Sequence, residues 1–159
     1  MDQEQRAQVI AGVGAFSGLE ADHLQSLAGI FSERQCTAGE ILINEGDRGK
    51  KLSIVVDGAI KVLLPAGGPK QRLEELELAV LREGDVFGEY SFIDLRPASA
   101  TVVALEPTTL LEVEHDELHR LLGEYCPAGR QVYYNLLLVL IDRLRADDQD
   151  LDAFTNSWT

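Results

Sequence analysis

Histidine, cysteine and activated serine are the side chains with which a small domain most often holds a metal or attacks a substrate. Here they are few and scattered. The three histidines, His23, His115 and His119, all fall in segments of helical pattern. A metal site in a small β-domain needs imidazoles and carboxylates clustered on neighbouring strands, which the helical pair His115 and His119 does not provide. Cys36 and Cys126 stand far apart, neither in a C-x-x-C, and read as small buried apolar residues. No G-x-S-x-G is present, and neither cysteine has a base beside it in sequence. The sequence predicts no enzyme, no catalytic residue and no metal. What remains is an ordered series of glycines and acids: Ala38-Gly39-Glu40, Glu45-Gly46-Asp47, Val56-Asp57-Gly58, Gly84-Asp85 and Phe87-Gly88-Glu89. Glycines tolerate positive φ and let short strands turn tightly. Turn formation alone accounts for Gly39, Gly46, Gly58 and Gly84.

The elements that carry this series follow from hydrophobic periodicity. Asp2 to Ala15 predicts a short, imperfect helix. Ser17 followed three residues later by Glu20 is a capping box, and Leu19, Leu24, Leu27, Ile30 and Phe31 predict a helix over about 18–31. From Glu33 to Glu114 the period changes to short apolar runs broken by turn dipeptides. The runs are 41–44, 52–56, 59–64, the Leu76/Leu78/Val80 alternation, 100–105 and 108–114, with Asp57-Gly58 a tight-hairpin signal. After Glu114 the pattern is helical to about Leu122, and past Pro127 comes the most apolar helix of the chain, over 129–146. In that helix Tyr133, Leu137, Leu140 and Leu144 form one stripe and Val132, Leu136 and Val139 a second beside it, either one for the roll and one for a second copy of the chain or both as a single wide face buried within the monomer, of which the dimer is the expectation. Arg143 and Arg145, near its end, suit the negative end of the helix dipole and need no further purpose. The acidic tail extends or frays the helix, and its Phe154 and Trp158 are apolar enough to dock.

Length and charge narrow the classes of partner. The 159 residues are one domain's worth, enough to bury roughly 68–70% of the unfolded surface without disulfide or metal. With 14 Lys+Arg against 27 Asp+Glu the net charge is −13, the wrong field for direct contact with nucleic acid or an anionic membrane. The polar N-terminus lacks signal-peptide order, and the longest apolar run, Leu136 to Ile141, is far short of a bilayer span. A reducing cytoplasm is the expected location.

The element order, with the segments 38–64 and 84–105, resembles the cyclic-nucleotide-binding domain of catabolite-activator-type receptors, kinase regulatory subunits and gated channels. The resemblance covers about residues 15–145. It implies an α+β fold, an eight-stranded β-roll (double-stranded β-helix, or jelly roll) with N-terminal helices and a long C-terminal helix. It implies cyclic AMP or cyclic GMP as candidate ligand, and no other cofactor. By the same resemblance the segment starting at Phe87 forms a short helix facing the cyclic phosphate. Gly88 lets the phosphate approach, Glu89 accepts a hydrogen bond from the ribose hydroxyl, and Ser91 caps the cassette. A carboxylate suits that hydroxyl because it is acceptor-only and its charged hydrogen bond is the stronger kind.

One position departs from the family pattern. The phosphate-binding arginine that follows the loop proline is Ala98 here, while Ser99 and Ala100 match. A guanidinium brings charge and a bidentate fork, and hydrogen bonds to charged groups contribute about 1.5–3 kcal/mol each. Arg96, two residues earlier, is the candidate substitute, with Pro97 stiffening the path between them. On the long helix, Tyr133, Tyr134 and Asn135 are the residues considered for base contact.

The sequence thus predicts a single domain over 1–159: a helical lead-in over 1–31, a β-roll over 32–114, and C-terminal helices and tail over 115–159. It reads as a cyclic-nucleotide-binding-like sensor, a homodimer through its C-terminal helix, with occupancy of the pocket biasing that helix. In the resembled activators a helix-turn-helix follows the long helix, and the residues after Ala146 are too few for one, so output is expected through an effector protein. The alternative is a ligand-free scaffold that keeps the roll for dimerisation or docking. A third reading is a DNA-binding regulator acting through another chain.

Overall fold

The computed structural model describes residues 1–67 and 70–156, with side chains described through residue 148. Helix α1 (Gln3–Gly12) opens on a capping box: the Gln5 N–H donates to Asp2 Oδ1 at 2.8 Å and the Asp2 N–H to Gln5 Oε1 at 2.9 Å. The capping box predicted at Ser17 and Glu20 does not form. Ser17 closes a 3-10 turn over Gly14–Phe16, Gly18 follows at φ 81°, and α2 (Ala21–Ile30) starts after Glu20, which makes no side-chain cap. The left-handed glycine separates Ser17 from the helix it was expected to cap.

Among the described residues eight strands follow: β1 (Ser32–Cys36), β2 (Ile41–Ile43), β3 (Lys51–Asp57), β4 (Ala59–Leu64), β5 (Leu76–Arg82), β6 (Val86–Phe87), β7 (Thr101–Ala104) and β8 (Thr108–Glu114). They form two four-stranded antiparallel sheets, ordered β1-β8-β3-β6 and β2-β7-β4-β5. This is the β-roll the resemblance implied. Six of the eight lie on the apolar runs. The two without such a run are β1 and β6. Polar β1 is an edge strand whose register runs unbroken from Ser32↔Glu112 to Cys36↔Thr108. An edge strand with one buried side chain needs no apolar period.

The first sheet is covered on both faces, which explains the continuous runs in β3 and β8. Leu52, Ile54, Leu111 and Val113 point to the helices, while Val55 and Leu110 point between the sheets. The larger apolar cluster therefore lies outside the roll, under α1, α2, α4 (His115–Glu124) and α5 (Cys126–Asn156). Within α5 the predicted inner stripe is real: Val132 and Leu136 are fully buried and Val139 packs beside them. Asn135 is buried too. Its Nδ2 donates to the carbonyls of Ala15 and Ser17 at 3.3 and 2.8 Å, tying α5 to the lead-in.

The cysteine reading holds for Cys36, buried in the roll with its thiol pushed up by burial, but Cys126 is exposed at the first turn of α5. The side chain of Phe154 and residue Trp158 lie outside the described residues. Among the described residues no helix is long and apolar enough to cross a membrane.

Candidate functional site

Residues of both sheets, of the short helix α3 (Glu89–Asp94) and of α5 line a cavity of about 780 Å3. That is within the size range of small-ligand sites, roughly 300–1,000 Å3. Gly88, Glu89, Ser91, Ala98 and Ser99 all line it. Arg96 does not. Its side chain is 82% exposed and turned to Asp94, so the substitute expected from sequence stands outside the cavity.

The backbone at Gly88 explains why the cassette is where it is. Gly88 caps α3 at φ 83°, and a Cβ there would sit 2.4 Å from the carbonyl oxygen of Lys51 on β3. Only glycine lets α3 start this close to the sheet. Gly58 is under similar pressure, since a Cβ would meet Thr108 Oγ1 at 2.6 Å and the Pro107 carbonyl at 2.7 Å. It does more than turn the chain.

Glu89, the first residue of α3, is 3% exposed. Its Oε1 accepts from Nη1 of Arg143, whose Nη2 donates to the Val86 carbonyl. Burial pushes the Glu89 carboxyl above the usual carboxylate range, against the pull of Arg143. Arg143 is therefore no dipole-end ornament. Because α5 continues to Asn156, Arg143 lies mid-helix and reaches into the site. Along α5 the cavity touches Arg143, Ala146 and Asp147, whereas Tyr133, Tyr134 and Asn135 lie outside its lining. Tyr133 instead bonds the ring of His119 at 2.9 Å and stacks on Phe92. The His115 ring stacks on that of His119, with its Nδ1 at 2.8 Å from Asp116.

A second buried acid, Glu112, lines the cavity from β8 at 7% exposure. It accepts from Arg34 Nη1 and from Lys51 Nζ, both at 3.2 Å. The bond to Glu40 chiefly raises the Arg34 guanidinium, and for Lys51 the bonds to Glu112 and Glu114 outweigh burial. Sequence reasoning missed Glu112, Arg34, Lys51, Arg143 and Asp147. A signal existed for two: Glu112 interrupts the run Leu110-Leu111-Glu112-Val113, and Arg143 interrupts an apolar helix. A charge inside such a run is costly unless it faces a partner.

Residues 33–125 match the family model described as cyclic nucleotide-binding domain. The chain is 30% identical over 144 residues to the cyclic AMP receptor protein of Thermus thermophilus, covering 91% of this chain and 63% of that one. It is 27% identical over 133 residues to the cAMP-dependent protein kinase regulatory subunit of Blastocladiella emersonii, covering 82% and 32%. It thus spans less than two thirds of either relative. A crystal structure of a cyclic nucleotide-binding domain from Methylobacillus flagellatus superposes with a TM-score of 0.80 at 25% identity, over 94% of this chain and 83% of that one. With a roll of the expected topology, a match over more than half its length and a cavity at the cassette, this chain belongs to the cyclic nucleotide-binding domain family, a regulatory or sensor module.

Proposed function

We propose that the cavity binds a cyclic nucleotide, cyclic AMP or cyclic GMP, and that α5 reports its occupancy. The observation that carries this is the contact of Arg143 with Glu89. The helix that would transmit a signal is bonded to the acid the ligand's ribose would address, so a ligand hydroxyl and Arg143 compete for, or share, one carboxylate. Gly88 and Ser91 complete the cassette, and Ala98 and Ser99 form the loop facing it. The Thermus relative's name, a cyclic AMP receptor, supports the ligand class. The module acts without catalysis, in the cytoplasm, with residues 1–159 working as one domain. Its output passes through an effector protein and not through direct nucleic-acid contact.

A second copy of the chain covers α5. Tyr134, Leu137, Leu138, Ile141 and Leu144 are 43–61% exposed and recur at helical spacing on one face. Tyr133 and Leu140, from the stripe drawn on sequence, are half-buried at its margin. Light scattering at tens of micromolar should give a dimer mass, and Leu140→Asp should dissociate it. A monomeric wild type overturns this part.

The alternative, a ligand-free dimerisation scaffold, is favoured by Ala98, which leaves the loop without its cation. Thermal-shift titration against cyclic AMP and cyclic GMP, confirmed by calorimetry, decides. At a hundred times its dissociation constant a ligand adds about 2.7 kcal/mol, which moves the midpoint of a domain this size by at least several degrees, about 2–4 °C per kcal/mol. No shift at millimolar nucleotide establishes the scaffold.

A further inference from the structure

We propose that Arg48, on the loop between β2 and β3, holds the phosphate of the cavity's ligand, supplying from a neighbouring loop the cation that position 98 lacks. The inference rests on the nucleotide reading above and adds to it the residue and the chemical group it meets: a singly charged phosphodiester.

Among the described residues five cations line the cavity: Arg34, Arg48, Lys50, Lys51 and Arg143. Three are committed to acids already there. Arg34 bonds Glu40 and Glu112, Lys51 pairs with Glu112 and Glu114, and Arg143 holds Glu89. Arg48 and Lys50 make no ion pair and no side-chain hydrogen bond among the described residues, and of the two Arg48 directly follows the residue bonded to Ala98. A charge at a cavity wall without a partner is stabilised by an anionic ligand that reaches it.

Position, not charge alone, selects it. The Ala98 N–H donates to the Asp47 carbonyl, and the Gly46 N–H donates to the Ala98 carbonyl, both at 2.8 Å. These two bonds clamp the loop to residue 98. Arg48 is the next residue after Asp47, and Ala98 and Arg48 line the same cavity. A guanidinium at 48 can therefore serve the space a longer side chain at 98 would have entered. The small methyl of Ala98 leaves that space open.

The loop is also built to hold still. The Arg72 guanidinium forks onto both oxygens of Glu45 at 2.7 and 2.9 Å, and the Glu45 N–H donates to Thr101 Oγ1 at 3.0 Å. With the Ala98 clamp, three elements fix the segment ahead of Arg48. That lowers the ordering cost of using its side chain. A guanidinium also matches phosphate geometry with two parallel N–H donors, which the point charge of Lys50 does not.

The test is calorimetric titration of the full chain with cyclic AMP and cyclic GMP, and with adenosine and guanosine as uncharged counterparts. Arg48→Ala should weaken the cyclic nucleotide that binds by about 10-fold or more, as expected for a lost charged hydrogen bond. Affinity for the matching nucleoside should stay within about twofold, since it has no phosphate to lose. Adding Ala98→Arg to Arg48→Ala should restore cyclic-nucleotide binding, and Arg96→Ala, outside the cavity, and Lys50→Ala, a point charge without the guanidinium fork, should each cost less than about threefold. The Arg48 side chain is exposed, so its variant should melt with the wild type. A wild type that binds and an Arg48→Ala that binds equally well overturn the role of Arg48 while leaving the nucleotide reading standing. Equal weakening toward nucleoside and nucleotide does the same. A wild type that binds neither cyclic nucleotide overturns both.

Discussion

Two acids are buried in the same cavity, and their partners differ in kind. Glu112 sits mid-sheet on β8, bonded to Arg34 on β1 and Lys51 on β3, the two strands flanking its own. The backbones that carry its partners are held in the same sheet. Glu89 starts a six-residue helix, and its cation comes from α5, an element outside the two sheets that meets the roll through side-chain contacts and not through a strand ladder. A charged contact within one sheet stiffens it, whereas a charged contact across a packing interface ties two bodies whose relative position can change. In the function proposed above, Glu112 serves as scaffold and Glu89 as the coupling point. The glycine before Glu89 belongs to that coupling point as well, because α3 can start only where no Cβ strikes β3.

The difference can be broken from the Glu89 side first. Gly88→Ala meets both the left-handed backbone and the Lys51 carbonyl, and should cost about 3–5 kcal/mol in urea denaturation, the sum of a strained φ and an overpacked contact. Next comes Arg143→Met, which leaves the Glu89 carboxylate buried without its cation. Breaking a fully buried pair costs about 3–5 kcal/mol, and since Arg143 is 27% exposed about 2–3 kcal/mol is expected. Glu112→Gln should cost less, about 1–2 kcal/mol, because Arg34 and Lys51 keep Glu40 and Glu114 as partners and remain partly in water. A larger loss at Glu112 than at Arg143 would reverse the assignment.

The pH dependence sharpens the same contrast with a smaller signal. Burial holds the folded carboxyl of Glu89 above its unfolded value, so its contribution to stability is fully present below about 4.5 and is lost as pH rises through the raised folded value. Removing Arg143 takes away the opposing pull and enlarges that loss. The stability gap between wild type and Arg143→Met should therefore be widest at neutral pH and should narrow as pH falls toward 4.5, read as the difference between two denaturation series. A gap constant with pH would mean that the lost packing of Arg143, not the stranded carboxylate, makes the variant weak.

Much of the fold was legible in the chain, for a local reason. Alternation, turn glycines and helical stripes act over a few residues, so β4 and β8 fall on the runs drawn at 59–64 and 108–114, and the inner stripe of α5 is buried as drawn. Where the signal was weak or interrupted, the structure chose differently. Polar β1 pairs through its backbone, which carries no side-chain signature. The Ser17 capping box yields to a left-handed Gly18, because a local motif forms only if the chain on both sides of it takes the helical path.

The cassette from Gly88 to Ser99 was legible too, being contiguous in sequence, as was the absence of a cation at 98. Its electrostatic surroundings were not. Arg34, Arg48, Lys51, Glu112 and Arg143 are spread over five segments, and no spacing rule joins them. By itself the sequence determined the roll, the glycines that let it turn, and an acid beside them, since those follow from backbone sterics and short-range burial. Only the tertiary structure decided which charges meet: that Arg143 bonds Glu89, that Arg96 faces water, and that the loop carrying Arg48 is bonded to Ala98. Charge pairing is settled by where separate elements pack, and the chain carries that information only once it is folded.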